Sequence, residues 1–95
     1  MVIGVLTLEF RLHGNDSLKG KRRVAQSLKI KLRNKFNLAV AEVAHQDSCE
    51  FLALAAVAVS CDAVRLQSQL QKALNLVVAI DAAELVHDEI EIMHL

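Results

Sequence analysis

The sequence predicts an α+β domain of order β-α-β-β-α-β, a four-stranded antiparallel sheet with two helices on one face. Three observations lead there. Residues 2–12 (VIGVLTLEFRL) alternate in hydropathy at period two. Residues 17–36 (SLKGKRRVAQSLKIKLRNKF) repeat apolar side chains at helical spacing and carry eight Lys or Arg with no acidic residue. Residues 37–60 hold two apolar runs split by the polar turn Gln46-Asp47-Ser48, the pattern of a hairpin.

In the first strand, Val2, Gly4, Leu6, Leu8, Phe10 and Leu12 share the face expected to lie under the helices. Ile3, Val5, Thr7, Glu9 and Arg11 share the other. Gly4 on the covered face lets a helix approach closely. His13-Gly14-Asn15-Asp16 is turn chemistry, and Ser17 is an N-cap for the helix that follows. On that helix Val24, Ala25, Leu28 and Leu32 make a narrow apolar stripe. Lys19, Arg22, Arg23, Gln26, Lys29 and Arg33 take the far side, with Ile30 among them. Gly20 is expected to weaken the helix start and leave its backbone N–H groups accessible.

The second strand is placed at 37–45 (NLAVAEVAH) and the third at 50–60 (EFLALAAVAVS), which is apolar on both faces and therefore central. Asp62 caps a second helix over 62–80, where Leu66, Leu70, Ala73, Leu74 and Val77 recur at helical spacing. The last strand spans 84–94 (ELVHDEIEIMH), with Val86, Ile90 and Ile92 assigned to one face and Glu89 and Glu91 to the other. This is the split-βαβ, or ferredoxin-like, sandwich: one domain over residues 1–95, its first and third strands central.

Composition narrows the function classes. At 54% hydrophobic the chain is a folded domain rather than a disordered one. The longest uncharged apolar run, 51–61, falls short of the roughly 20 residues a membrane helix needs. The N-terminus lacks the basic stretch and cleavage site of a secretory leader, so a cytoplasmic protein with no membrane partner is expected. Cys49 and Cys61 flank one predicted strand, twelve steps or about 40 Å apart. That is far beyond the spacing of a disulfide, so both are expected as free thiols.

Net charge is zero, yet residues 1–36 hold nine cations against two acids, and residues 37–95 hold two cations against nine acids. The basic helix works against itself. Lys19–Arg23, Lys29–Arg33 and Lys31–Lys35 are like charges at i,i+4, each costing about 0.2–0.5 kcal/mol. Four cations also crowd the N-terminal turns, where the helix dipole favours anions. A broken local rule points to a gain outside the helix, and an anionic partner supplies one. Lys19, Arg22, Arg23, Gln26, Lys29 and Arg33 are the candidate phosphate-binding residues. With no Trp or Tyr and only three Phe, base stacking is disfavoured, and nucleic acid would be held by its backbone.

No catalytic signature is present. His45, Asp47 and Cys49 gather around one turn but nothing supplies an oxyanion hole, and His87, Asp88 and His94 lack metal-ligand spacing. Neither a metal nor another cofactor is expected. The uncovered sheet face is assigned Ile3, Val5 and Thr7 with Leu52, Leu54, Ala56 and Ala58. Because a contiguous apolar face on so small a domain rarely stays bare, a homo-oligomer built on Ile3, Val5, Leu52 and Leu54 is expected.

Four ordered motifs, GVLTLE at 4–9, SLKGKRR at 17–23, LRNKFN at 32–37 and AEVAHQD at 41–47, resemble the YlxP-like family of small bacterial proteins of unassigned function. The resemblance implies a ferredoxin-like fold. Family members are commonly encoded beside translation-initiation and ribosome-maturation genes, which implies a role near ribosomal RNA or ribosomal assembly intermediates. The family pattern runs on as Q-D-x-W-Q; here Cys49 and Glu50 replace the Trp and Gln. The function expected is thus a non-enzymatic RNA- or ribosome-associated binding module using the basic helix. The alternative is an oligomeric structural or regulatory protein whose basic helix pairs with an acidic protein surface.

Overall fold

The computed structural model describes all residues from Met1 to Leu95. Its elements are β1 (Val2–Arg11), α1 (Leu18–Phe36), β2 (Ala39–Ala44), β3 (Phe51–Ser60), α2 (Ala63–Ile80) and β4 (Glu84–His94). The sheet order is β2-β3-β1-β4, all pairs antiparallel, with β1 and β3 central as expected. α1 lies over β2 and β3, and α2 over β1 and β4.

Capping chemistry sets both helices. Ser17 Oγ accepts from the Gly20 N–H at 3.0 Å, and Asp62 Oδ1 from the Arg65 N–H at 3.1 Å. The Gly20 N–H is therefore occupied rather than open, and Asn15 packs against the space where a Cβ would stand. Each helix ends in a left-handed residue, Asn37 at φ 52° and Asp81 at φ 51°, whose N–H closes the last turn. Because Asn37 serves as that cap, β2 begins at Ala39, two residues later than expected. It ends at Ala44 because His45 turns to φ 61°.

The core lies between sheet and helices, where Leu6, Leu8 and Phe10 meet Leu28, Leu32, Leu66 and Leu70. Gly4 has the use expected of it: a Cβ there would stand 2.7 Å from Leu70 Cδ1 and 2.9 Å from Leu66. α2 sits against bare backbone.

Two face assignments are corrected. Leu8 pairs with Leu54 and Phe10 with Leu52, and opposed residues point to the same side of a sheet. Leu52 and Leu54 are consequently 0% exposed beneath the helices, and Ala56 joins them in the core. They do not belong to the open face. That face is built from Ile3, Val5, Thr7 and Glu9 with Ala53, Ala55, Val57 and Val59. β3 is apolar on both sides, so alternation alone left its parity open. The second correction concerns β4. A bulge opposite Glu9 and Phe10 pairs Phe10 with Leu85 instead of Val86. Leu85 packs on the core beside Ile90 and Ile92, and Val86 stands 50% exposed.

Candidate nucleic-acid interface

α1 presents three distinct sides. Lys21, Ala25, Leu28 and Leu32 face inward. Arg22, Gln26, Lys29 and Arg33 follow one another at i, i+4, i+7 and i+11 along the flank toward β2. Lys31 and Lys35 lie on the opposite flank, toward α2, and Lys35 shares a notch with Lys72 and Asn75. Five of the six predicted site residues, Lys19, Arg22, Arg23, Gln26 and Lys29, line one shallow concavity of about 680 Å³, with Glu42 of β2 at its margin. Arg33, the sixth, reaches sideways and donates from Nη2 to the Val40 carbonyl at 2.9 Å. That bond occupies a main-chain acceptor of the short strand β2, which pairs only with β3.

Of the eight cations on α1, only Lys21 has a carboxylate within 4.0 Å. Lys19, Arg22, Arg23, Lys31 and Lys35 are exposed, and Lys29 is half-buried. The like-charge repulsion inferred from the spacing is thus uncompensated within the chain, apart from Arg33's carbonyl contact.

Lys21 is the residue that composition concealed. It is the one buried charged side chain, 2% exposed. Its Nζ donates to the Ser48 carbonyl at 2.8 Å and to the His45 carbonyl, and lies 3.3 Å from Glu42 Oε2. No buried side-chain polar atom lacks a partner. Lys21 ties α1 to the β2–β3 turn, assisted by Asn15, whose Nδ2 donates to the Cys49 carbonyl at 2.7 Å. A signal was present in the sequence, since Lys21 leads Ala25, Leu28 and Leu32 at helical spacing and so falls on the apolar stripe. Val24, assigned to that stripe, lies at its half-buried margin.

The remaining polar clusters stay apart. His45 packs its ring against Phe51, centroids 5.7 Å apart, while Cys49 is half-buried and Cys61 exposed, both as free thiols. His87 and Asp88 pair with Glu9 and Leu8 and so lie on opposite sides of the sheet. No three His, Cys, Asp or Glu side chains gather where a metal ion could be held. No helix is long and apolar enough to cross a membrane. Phe10 is in the core, Phe36 is half-buried, and Phe51 is on the sheet side beside His45, so the helix face offers no exposed aromatic.

Comparison with known proteins agrees with the motif resemblance. The chain is 30% identical over 76 residues to the uncharacterized protein YlxP of Bacillus subtilis, covering 80% of this chain and 83% of that one. Among solved structures it is similar to SnoaB, a cofactor-independent oxygenase from Streptomyces nogalater. That match has a TM-score of 0.57 and 16% identity over 98% of this chain and 92% of the other. Protein Atu4242 of Agrobacterium tumefaciens matches with a TM-score of 0.54 and 10% identity over 99% and 92%. At such identities these two likenesses concern the fold alone. Residues 3–90 match the model of the family described as protein of unknown function DUF503, and with the YlxP relationship this makes the chain a member of that family.

Proposed function

We propose that this protein is a non-enzymatic RNA-binding module that holds phosphates with the outer flank of α1. The observation that carries the reading is the cation row Arg22, Lys29 and Arg33 on one rigid helix, none with a carboxylate partner and only Arg33 engaged elsewhere, at the Val40 carbonyl. From Arg22 to Arg33 the row is roughly 16 Å long at 1.5 Å per residue. It can meet successive phosphates without reordering the scaffold. The motif resemblance makes ribosomal RNA or a ribosomal assembly intermediate the partner to test first.

Replacing Arg22, Lys29 and Arg33 together by Ala should weaken RNA binding similarly across sequences. The slope of log K against log salt should fall by about 2–3, close to one per lost phosphate contact. Co-sedimentation with ribosomal subunits at graded salt should fall in parallel. Unchanged affinity in a folded triple variant would end the phosphate reading. Loss of a protein partner with RNA affinity intact would transfer the surface to the acidic-protein alternative.

A self-association reading rests on a different surface. Ile3 and Val5 remain on the open sheet face, and Val57 and Val59 take the places assigned to Leu52 and Leu54. Val59 is 64% exposed and Met93, opposite Ile3 on β4, adds to the apolar area. We propose a symmetric dimer through this face. Light scattering at tens of micromolar should give twice the chain mass, and a monomer there would refute it.

A further inference from the structure

The division of charge follows the layers of the fold more closely than the halves of the chain. α1 carries eight cations and α2 carries two, Arg65 and Lys72, while neither helix contains an acidic residue. All eleven acids lie on strands, turns and caps, where Arg11 is the single cation and is itself paired with Glu50 at 2.8 Å. Arg65 and Lys72 belong to the acidic half when charges are counted along the sequence, but folding returns them to the basic layer. Lys35 and Lys72 border one notch between the helices, and Arg65 continues that edge through a second concavity shared with Ser68, Gln69 and the cap residue Asp62. The exposed side of α2 otherwise carries Gln67, Ser68, Gln71 and Asn75, uncharged groups able to donate and accept hydrogen bonds, with Val64, Val78 and Ala79 toward its two ends.

We propose that α1 and α2 together form one platform for double-stranded RNA, gripping it by two cation rows. One row is Arg22, Lys29 and Arg33; the other is Lys31 and Lys35 with Lys72 across the interhelical notch. This deepens, and rests on, the phosphate reading above. Three features favour a duplex over a single strand. The positive surface is a broad face spanning two helices rather than a groove that tracks one backbone. The one aromatic on this face, Phe36, is half-buried beside the notch, so unpaired bases would find no row of open rings to stack on, and stacking is a main contribution to single-strand binding. The amides and hydroxyl of α2 suit the 2′-hydroxyls and phosphates displayed across the wide minor groove of an A-form helix.

The test uses the full chain with an RNA hairpin duplex and a single strand of equal length. Lys31, Lys35 and Lys72 are replaced together by Ala; all three are exposed, so the fold should survive. The duplex should bind more tightly than the single strand, and the variant should lose affinity for the duplex. Its salt slope should fall by about 2.7 for three lost contacts, so that between 50 and 200 mM salt the parent loses about 40-fold more affinity than the variant. If the Arg22, Lys29 and Arg33 replacement weakens binding while this one does not, the two-helix platform is wrong and the single ridge stands. Equal affinity for single strand and duplex would also overturn the platform. If neither replacement alters RNA affinity, both readings fall.

Discussion

Leu54→Glu should not yield a folded domain, whereas Val57→Glu, three residues along the same strand, should fold. Leu54 is fully buried between β1 and the helices. The substitution removes a core side chain worth about 2–5 kcal/mol and adds the cost of an unpaired buried carboxylate. The loss should exceed about 5 kcal/mol, on the scale of the whole stability of a small domain. Val57 pairs with Val5 and Ala39 on the open face, where a glutamate can reach water. Its cost to the monomer should be about 1 kcal/mol. Circular dichroism and solubility check the first expectation, and light scattering on the second variant asks whether the open face associates. A cooperative melt for Leu54→Glu near that of the parent would place Leu54 outside the core.

The second large effect is expected at Lys21. Lys21→Met keeps the aliphatic stem but removes the ammonium, leaving the carbonyls of His45 and Ser48 and the Glu42 carboxylate without their donor. Breaking a buried pair from one side costs about 3–5 kcal/mol, less where the remaining charge still reaches solvent, as Glu42 does. About 2–4 kcal/mol by urea denaturation is the expected loss. Adding Glu42→Gln should recover part of it, since the orphaned charge is then gone, and the double-mutant cycle measures the coupling. Amide exchange should rise over residues 45–49 in the single variant, because the turn loses its tie to α1. A change under about 0.5 kcal/mol would mean that the lysine fastens nothing.

These two residues also mark where the sequence was legible and where it was not. Element order, both N-caps, the bounds of β4, the covered face of β1 and the close approach at Gly4 all follow from local chemistry, and each is present in the structure. The parity of β3 does not follow, because EFLALAAVAVS is apolar at odd and even positions alike. Side-chain volume held the remaining clue, with leucine at 52 and 54 against alanine at 53 and 55. The bulge in β4 inverts the facing of its first residues, turning Leu85 inward and Val86 outward, without leaving any mark in hydropathy. Lys21 was hidden for another reason: a cation among cations reads as surface until its angular position is set against Ala25, Leu28 and Leu32. The candidate ridge was legible as a row, but the partner of Arg33 was not, since the Val40 carbonyl belongs to a strand whose placement only the fold decides.

The layered charge has a kinetic meaning as well. A molecule with no net charge feels no monopole pull toward a polyanion, but one with most of its cations on its helices and its acids on strands, turns and caps carries a permanent dipole. Near a nucleic-acid surface, within about one Debye length of 8–10 Å, that dipole experiences a torque before any contact forms. If RNA is the partner proposed above, encounters should be turned helix-side first, so that fewer collisions are wasted on wrong orientations. The gain in association rate should vanish at high salt even if the bound complex survives.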